Sequence, residues 1–245
     1  MRAPPRASGL IGTGLVTLIC FGLLIGLGVW QLHRKVWKED IIAAMTARLS
    51  QAPQPLPPSA EWDALRQDRD EFRRVQFSGV FVPGEEVLVY AAGSALRTDI
   101  SGPGYFVFAP IRLADGRIVV VDRGFVPIDR KAAPHSAPEG AVSVVGVLRW
   151  PENRGMFTPA DDLKGNVSFL RDPAAMAAGR HWGNVAPFYI DQEAPVPPGG
   201  LPRPGKLFVN LPDNHLQYAL TWFGLAAGLA GVYAFWLVGQ FRKVS

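Results

Sequence analysis

Two uncharged apolar runs constrain this chain more than anything else in it. Gly9 to Leu32 holds 24 residues without a charge, and Leu216 to Val238 holds 23. At about 1.5 Å rise per residue, either run as a helix covers the roughly 30 Å hydrocarbon core of a bilayer. Arg2 and Arg6 before the first run imitate a secretory signal. The run is too long for a signal core, however, and no small-x-small cleavage site precedes Trp30, so a retained helix is expected. The predicted organisation is a lead at 1–8, a transmembrane helix at 9–32, an extracytoplasmic domain at 33–212, a second transmembrane helix at 216–238 and a tail at 239–245.

Charge follows this division. The formal net charge is +4, yet residues 39–212 carry 18 Lys and Arg against 20 Asp and Glu. The excess is at the membrane edges, in Arg2, Arg6, Arg34, Lys35, Lys38, Arg242 and Lys243. That placement argues against nucleic-acid binding. Arg242 and Lys243 put the C-terminus in the cytoplasm, Arg2 and Arg6 do the same for the N-terminus, and the central domain faces outward. The short lead leaves no room for a transit peptide, which points to a bacterial inner membrane and a periplasmic domain. Cys20, the lone cysteine, lies in the first span, so the exported domain has no disulfide and no thiolate pair for copper or zinc.

Between the spans, Ile41, Ile42, Met45 and Leu49 extend the first helix as far as the proline-rich 53–58. A short helix is expected around Trp62 to Glu71, and another after the cap-and-first-turn pair Asp172-Pro173. Strand signals cover Val75–Val82, Glu86–Ala91, Tyr105–Leu113, Arg117–Val126, Val142–Arg149, Val167–Leu170, Phe188–Ile190 and Leu207–Leu211. The fold class is therefore an α+β membrane protein. Two transmembrane helices flank a mainly antiparallel-β domain, a sheet or partly closed barrel, with a few short helices. Gly22-x-x-x-Gly26 with Gly28, and Gly224-x-x-x-Gly228 with Gly231, predict that the spans pair through their glycines.

Catalytic motifs are missing: the sequence contains neither G-x-S-x-G nor H-E-x-x-H. Gly200-x-x-x-x-Gly205-Lys206 imitates a phosphate loop. It continues with Leu207, and Pro202 and Pro204 have no N–H to give a phosphate, so no nucleotide is expected. The chemistry concentrates at the outer membrane edge. His215 opens the second span, with Tyr218 and Trp222 at helical spacing beyond it. Gln31, His33, Arg34 and Lys38 close the first span, beside Trp30 and Trp37. Imidazole ligates haem iron, and Arg or Lys pairs with its propionates. Arg34 and Lys38 are expected on one face with Gln31, and Lys35 on another.

Several ordered motifs give this arrangement a family. Gly28-Val29-Trp30-Gln31-Leu32-x-Arg34-x-x-Trp37-Lys38, Gly79-Val80-Phe81 and Gly102-x-Gly104-Tyr105 come first. Val121-Asp122-Arg123-Gly124-Phe125-Val126-Pro127, Arg149-x-Pro151-Glu152 and Asn214-His215-Leu216-x-Tyr218-Ala219-x-Thr221-Trp222 follow. In this order they resemble the Surfeit locus protein 1 family, assembly factors for cytochrome c oxidase. Asp122, Phe125, Phe169 and Asp213 depart from the family's usual residues. The resemblance implies a non-enzymatic inner-membrane protein that binds haem a, with His215 as iron ligand. Tyr218, Trp222, Gln31, Arg34 and Lys38 would surround the haem, and His33 is a candidate second ligand. Its implied partners are the haem-bearing oxidase subunit, other assembly factors and membrane lipid. The alternative is a scaffold that stabilises the assembling subunit without touching haem.

Overall fold

The computed structural model describes residues 7–94, 96–132, 135–162, 165–209 and 212–242, with side chains from residue 11 onward. Arg2, Arg6 and Lys243, used above to orient the chain, lie outside the described residues. The chain divides into two compact units, 1–43 with 211–245, and 44–210.

The first unit is a pair of helices, α1 (Ala7–Ser50) and α4 (His215–Phe241). Only 6% of each apolar stretch is buried in protein, unlike the core helix of a soluble domain. In α1 the covered positions include Gly14, Thr17, Phe21, Leu24, Gly28, Gln31, Lys35 and Lys38, with Ile25 beside them; in α4 they include His215, Ala219, Trp222, Ala226, Leu229, Tyr233 and Trp236, with Phe223 and Leu237 beside them. Alternating steps of three and four residues are the seam of two helices in left-handed packing. Pairing thus occurs as expected, but of the expected glycines only Gly28 takes part. Gly22, Gly26, Gly224, Gly228 and Gly231 face open space. The close approaches are at Gly28, where a Cβ would lie 2.4 Å from the Phe223 ring, and at Gly14 beneath the Tyr233 hydroxyl. A four-residue glycine spacing drifts off a seam that repeats every 3.5 residues, so the motif alone could not locate the contact.

The second unit contains the last turns of α1 and then β1 (Gln54–Pro55), α2 (Gln67–Asp70), β2 (Arg74–Phe81), β3 (Val87–Ala91), β4 (Gly104–Arg112) and β5 (Ile118–Pro127). It continues with β6 (Ala141–Arg149), β7 (Val167–Ser168), α3 (Pro173–Arg180) and β8 (Val185–Ala194). Strands β2, β6, β8, β5 and β4 form a closed five-stranded ring, completed where Val80 pairs with Arg112 and Phe81 with Ile111. Gly79 permits that closure, since a Cβ there would be 2.7 Å from the Arg112 carbonyl oxygen. All but the β5–β8 pair in the ring are antiparallel.

Inside the ring lie Val75, Phe81, Ile111, Val119, Val121, Leu148, Phe188 and Ile190, with the Trp62 indole edge-on to Phe188. A second core covers the outer side of β4 and β5, where Phe108, Val120, Phe125 and Tyr189 meet β3 and Met176 of α3. Burial on both faces explains why β5 reads as a near-continuous apolar run. Asp172 caps α3 as expected, accepting from the backbone N–H groups of Ala174 and Ala175. One expected strand fails. Leu207 to Val209 lie in no strand, and 210–211 are outside the described residues. Leu207 buries its side chain against Phe72 and Val147 instead.

Candidate functional site

The helix-pair unit places an imidazole at the N-terminus of α4. Asn214 is the N-cap residue, but the capping bond comes from Asp213, whose Oδ1 accepts the His215 backbone N–H at 2.9 Å. A carboxylate here satisfies one of the open donors of the first turn and suits the positive end of the helix. The anion beside His215 is therefore engaged with backbone.

The His215 side chain meets Gln31 of α1, with Nδ1 and Oε1 2.7 Å apart. An amide oxygen only accepts, so the contact as oriented pairs it with Nδ1–H and leaves Nε2 as the nitrogen facing away from Gln31. This second-shell arrangement fixes the ring and tautomer of metal-ligating histidines. Trp222 lies on the same covered seam, two turns along, while Tyr218 is 56% exposed. His33 is exposed, and Gln31 is the α1 residue that reaches His215.

The basic residues divide differently from their expected faces. Lys38 is on the seam and donates to the Pro212 carbonyl, three residues before His215. Lys35, expected on another face, shares the seam and pairs with Glu39 at 2.5 Å. Arg34 leaves the seam and lies over the Trp37 ring, 4.1 Å from its centroid. Among the described residues, no three His, Cys, Asp or Glu side chains converge to hold a bare metal ion.

The β-domain holds a second polar centre, which the sequence does not reveal. Asp122 of β5 and Asp191 of β8 are neighbours in a parallel pair, 3% and 8% exposed. Arg149 donates to Asp191 at 3.0 Å and to Glu71 at 3.2 Å. Asp122, Asp191 and Arg149 line a cavity of about 260 Å³ together with Arg97, Arg171 and Gln192. Burial and the neighbouring Asp191 charge push the Asp122 carboxyl well above the usual carboxylate range, against the opposing pull of Arg171 and the Gly124 N–H. These causes favour the protonated form of the Asp122 carboxyl.

The rest of that motif holds a strap. Gly124 has φ +121, and a Cβ there would lie 2.2 Å from the Arg203 carbonyl. Phe125 and Arg203 exchange backbone hydrogen bonds of 3.0 and 2.8 Å, and the Gly205 N–H donates to the Gln192 carbonyl at 3.1 Å. The proline-rich segment after β8 is therefore bonded onto the ring, and this motif supports structure.

Comparison with known proteins agrees in extent with these observations. The family model described as the SURF1 family matches residues 18–227, which takes in most of α1, the whole ring and the first half of α4. A "SURF1-like protein" of Monosiga brevicollis is 34% identical over 95% of this chain and 89% of its own length. "Surfeit locus protein 1" of Takifugu rubripes is 34% identical over 89% of this chain and 93% of its own. The human protein of that name is 33% identical over 82% and 70%.

Proposed function

This chain belongs to the SURF1 family, and from that premise we propose that it is a non-catalytic assembly factor for cytochrome c oxidase that binds haem a through His215 and presents it to the haem-bearing subunit. One contact carries the haem reading: Gln31 holds the Nδ1 proton of His215 and leaves Nε2 as a base. A neutral imidazole with its second nitrogen so engaged is a good donor to haem iron, and the partner raises its basicity. Trp222 offers an apolar wall on the same seam, and Tyr218 presents its phenol from the adjoining exposed face. Lys38 is the cation bonded nearest to His215 in sequence, at Pro212, and suits a propionate. When bound, the haem supplies the chemistry; the chain holds, orients and releases it.

The scaffold reading has an observation of its own. Met156 and Phe157 are each 93% exposed. Their loop is tied by Arg154 to the Pro159 carbonyl at 2.6 Å and to Asp161 at 2.9 Å. A fixed loop with two bare apolar side chains suits a protein partner. Absorption spectra of the full chain, purified from cells that make haem a, separate the readings. A Soret band lost in His215→Ala, with the protein still inserted, supports the haem reading. A colourless protein that still co-purifies with the oxidase subunit leaves the scaffold.

A further inference from the structure

Along α1, Trp30, Arg34 and Trp37 follow one another at steps of four and three, so they form one stripe. Gln31, Lys35 and Lys38 form the seam beside it, one position and about 100° around the helix. The stripe is bare: Trp30 is 53% and Trp37 50% exposed, and Arg34 is exposed between them. Its neighbour Lys35 is paired with Glu39, and Lys38 is turned onto the seam, where it donates to the Pro212 carbonyl. Among the described residues Arg34 has no carboxylate partner, only the Trp37 ring 4.1 Å away.

Position along the axis matters as much as face. Trp30 is in the last turn of the apolar run, and Trp37 is seven residues, about 10 Å, further on. A headgroup layer is about 5–7 Å thick. The two indoles therefore bracket the zone where acyl chains give way to phosphates, the zone that tryptophan prefers. Stacking on an indole orients a guanidinium while leaving N–H edges free for a phosphate oxygen. Asp40, the next acidic residue along this side, is six positions past Arg34, about 9 Å up the axis.

We propose that Trp30, Arg34 and Trp37 form a docking site for the headgroup of an anionic phospholipid. Arg34 binds the phosphate, and the indoles pack against the glycerol and upper acyl region on either side. This occupant follows from an unpaired cation between two interfacial aromatics at the end of an apolar span; an apolar helix face would leave the guanidinium without an acceptor, and a zwitterionic headgroup, whose phosphate is balanced by its own ammonium, would leave its charge uncompensated.

Native mass spectrometry of the full chain in detergent, titrated with phosphatidylglycerol or phosphatidylcholine, tests the site. The unmodified protein should retain phosphatidylglycerol in preference. Arg34→Gln should weaken that retention about fivefold, the share of one arginine near an anionic surface. Lys35→Gln, on the seam and paired with Glu39, should leave it unchanged. Arg34→Lys should recover part of it, because the charge returns without the planar stack. Equal retention of the two lipids overturns the proposal, and so does a preference that survives Arg34→Gln. An equal loss in Lys35→Gln also overturns it, by showing a diffuse charge effect. Haem content is read separately by its Soret band, so failure of the haem reading leaves this test intact.

Discussion

The imidazole of His215 and the amide of Gln31, 184 positions apart in the chain, are joined 2.7 Å apart across the helix pair. Neither residue alone specifies a ligand. Together they fix which ring nitrogen carries the proton, which is the first requirement for holding iron.

Gln31 is therefore a positioning residue for His215. Gln31→Leu should lower haem retention by about 10–100-fold, the range for loss of a second-shell partner. Gln31→Glu, which still accepts from Nδ1–H, should retain haem and shift the Soret position by making the ring more basic. Titration of detergent-purified protein with haem, read by absorption, checks both. Equal loss in the two variants would assign Gln31 to packing alone.

Helix pairing depends on Gly28, where a Cβ would come within 2.4 Å of the Phe223 ring. Gly28→Val should lower the thermal midpoint of the full chain in detergent, and Gly26→Val, facing open space, should not. Phe223→Ala in the Gly28→Val background should recover part of the loss, since the clash is with that ring.

Much of this fold is legible in the sequence where apolar runs are unbroken, as in α1, α4 and β5. It becomes illegible where polarity and position part company. The end of β8 at Asp191, Gln192 and Glu193 carries no apolar signal, so Phe188–Ile190 underestimates the strand. Leu207 to Val209 carry a strand's composition, yet Leu207 alone meets a core and no ladder forms. The pairing of Asp122 with Asp191 is not legible because nothing local shows that β5 and β8 become neighbours. At the site, sequence places Gln31 and His215 at matching edges. Only the three-four seam shows that they touch, that Lys35 joins them and that Arg34 turns away.

The buried Asp122 sets a pH dependence of definite sign. Its folded pKa lies above the unfolded value, so from about pH 4 upward the folded state holds more protons. Stability therefore falls as pH rises through that window. Asp99 acts oppositely: its hydrogen bonds to the Arg97 guanidinium hold its carboxyl below the usual range, so its contribution is lost as pH falls below about 4. Asp122→Asn keeps the shape and removes the titration. It should raise stability at neutral pH and flatten the alkaline limb. Urea unfolding of the full chain between pH 5 and 8 measures this. A variant less stable than the parent at pH 8 would show that the carboxyl is ionised in the fold.

The strap across the ring gives the last prediction, because two separable costs meet at Gly124. Its φ of +121 disfavours any side chain, and the space for a Cβ is taken by the Arg203 carbonyl at 2.2 Å. Gly116 is a natural control, with φ +82 but open space around it. Gly116→Ala should cost about 1 kcal/mol, the conformational part alone. Gly124→Ala cannot relax by rotating a flexible neighbour, since it strikes backbone. It must push Arg203 away and break the paired bonds between Phe125 and Arg203, at about 1 kcal/mol each before any loss of Leu207 packing. The expected loss is at least about 3 kcal/mol, with the strap detached before the ring opens. Limited trypsin digestion reads that order directly. Cleavage after the exposed Lys206 should accelerate in Gly124→Ala under conditions where the ring resists, and Gly116→Ala should digest like the parent. Equal protection of Lys206 in both variants would mean that the strap is held by the rest of its contacts, without the Phe125–Arg203 bridge.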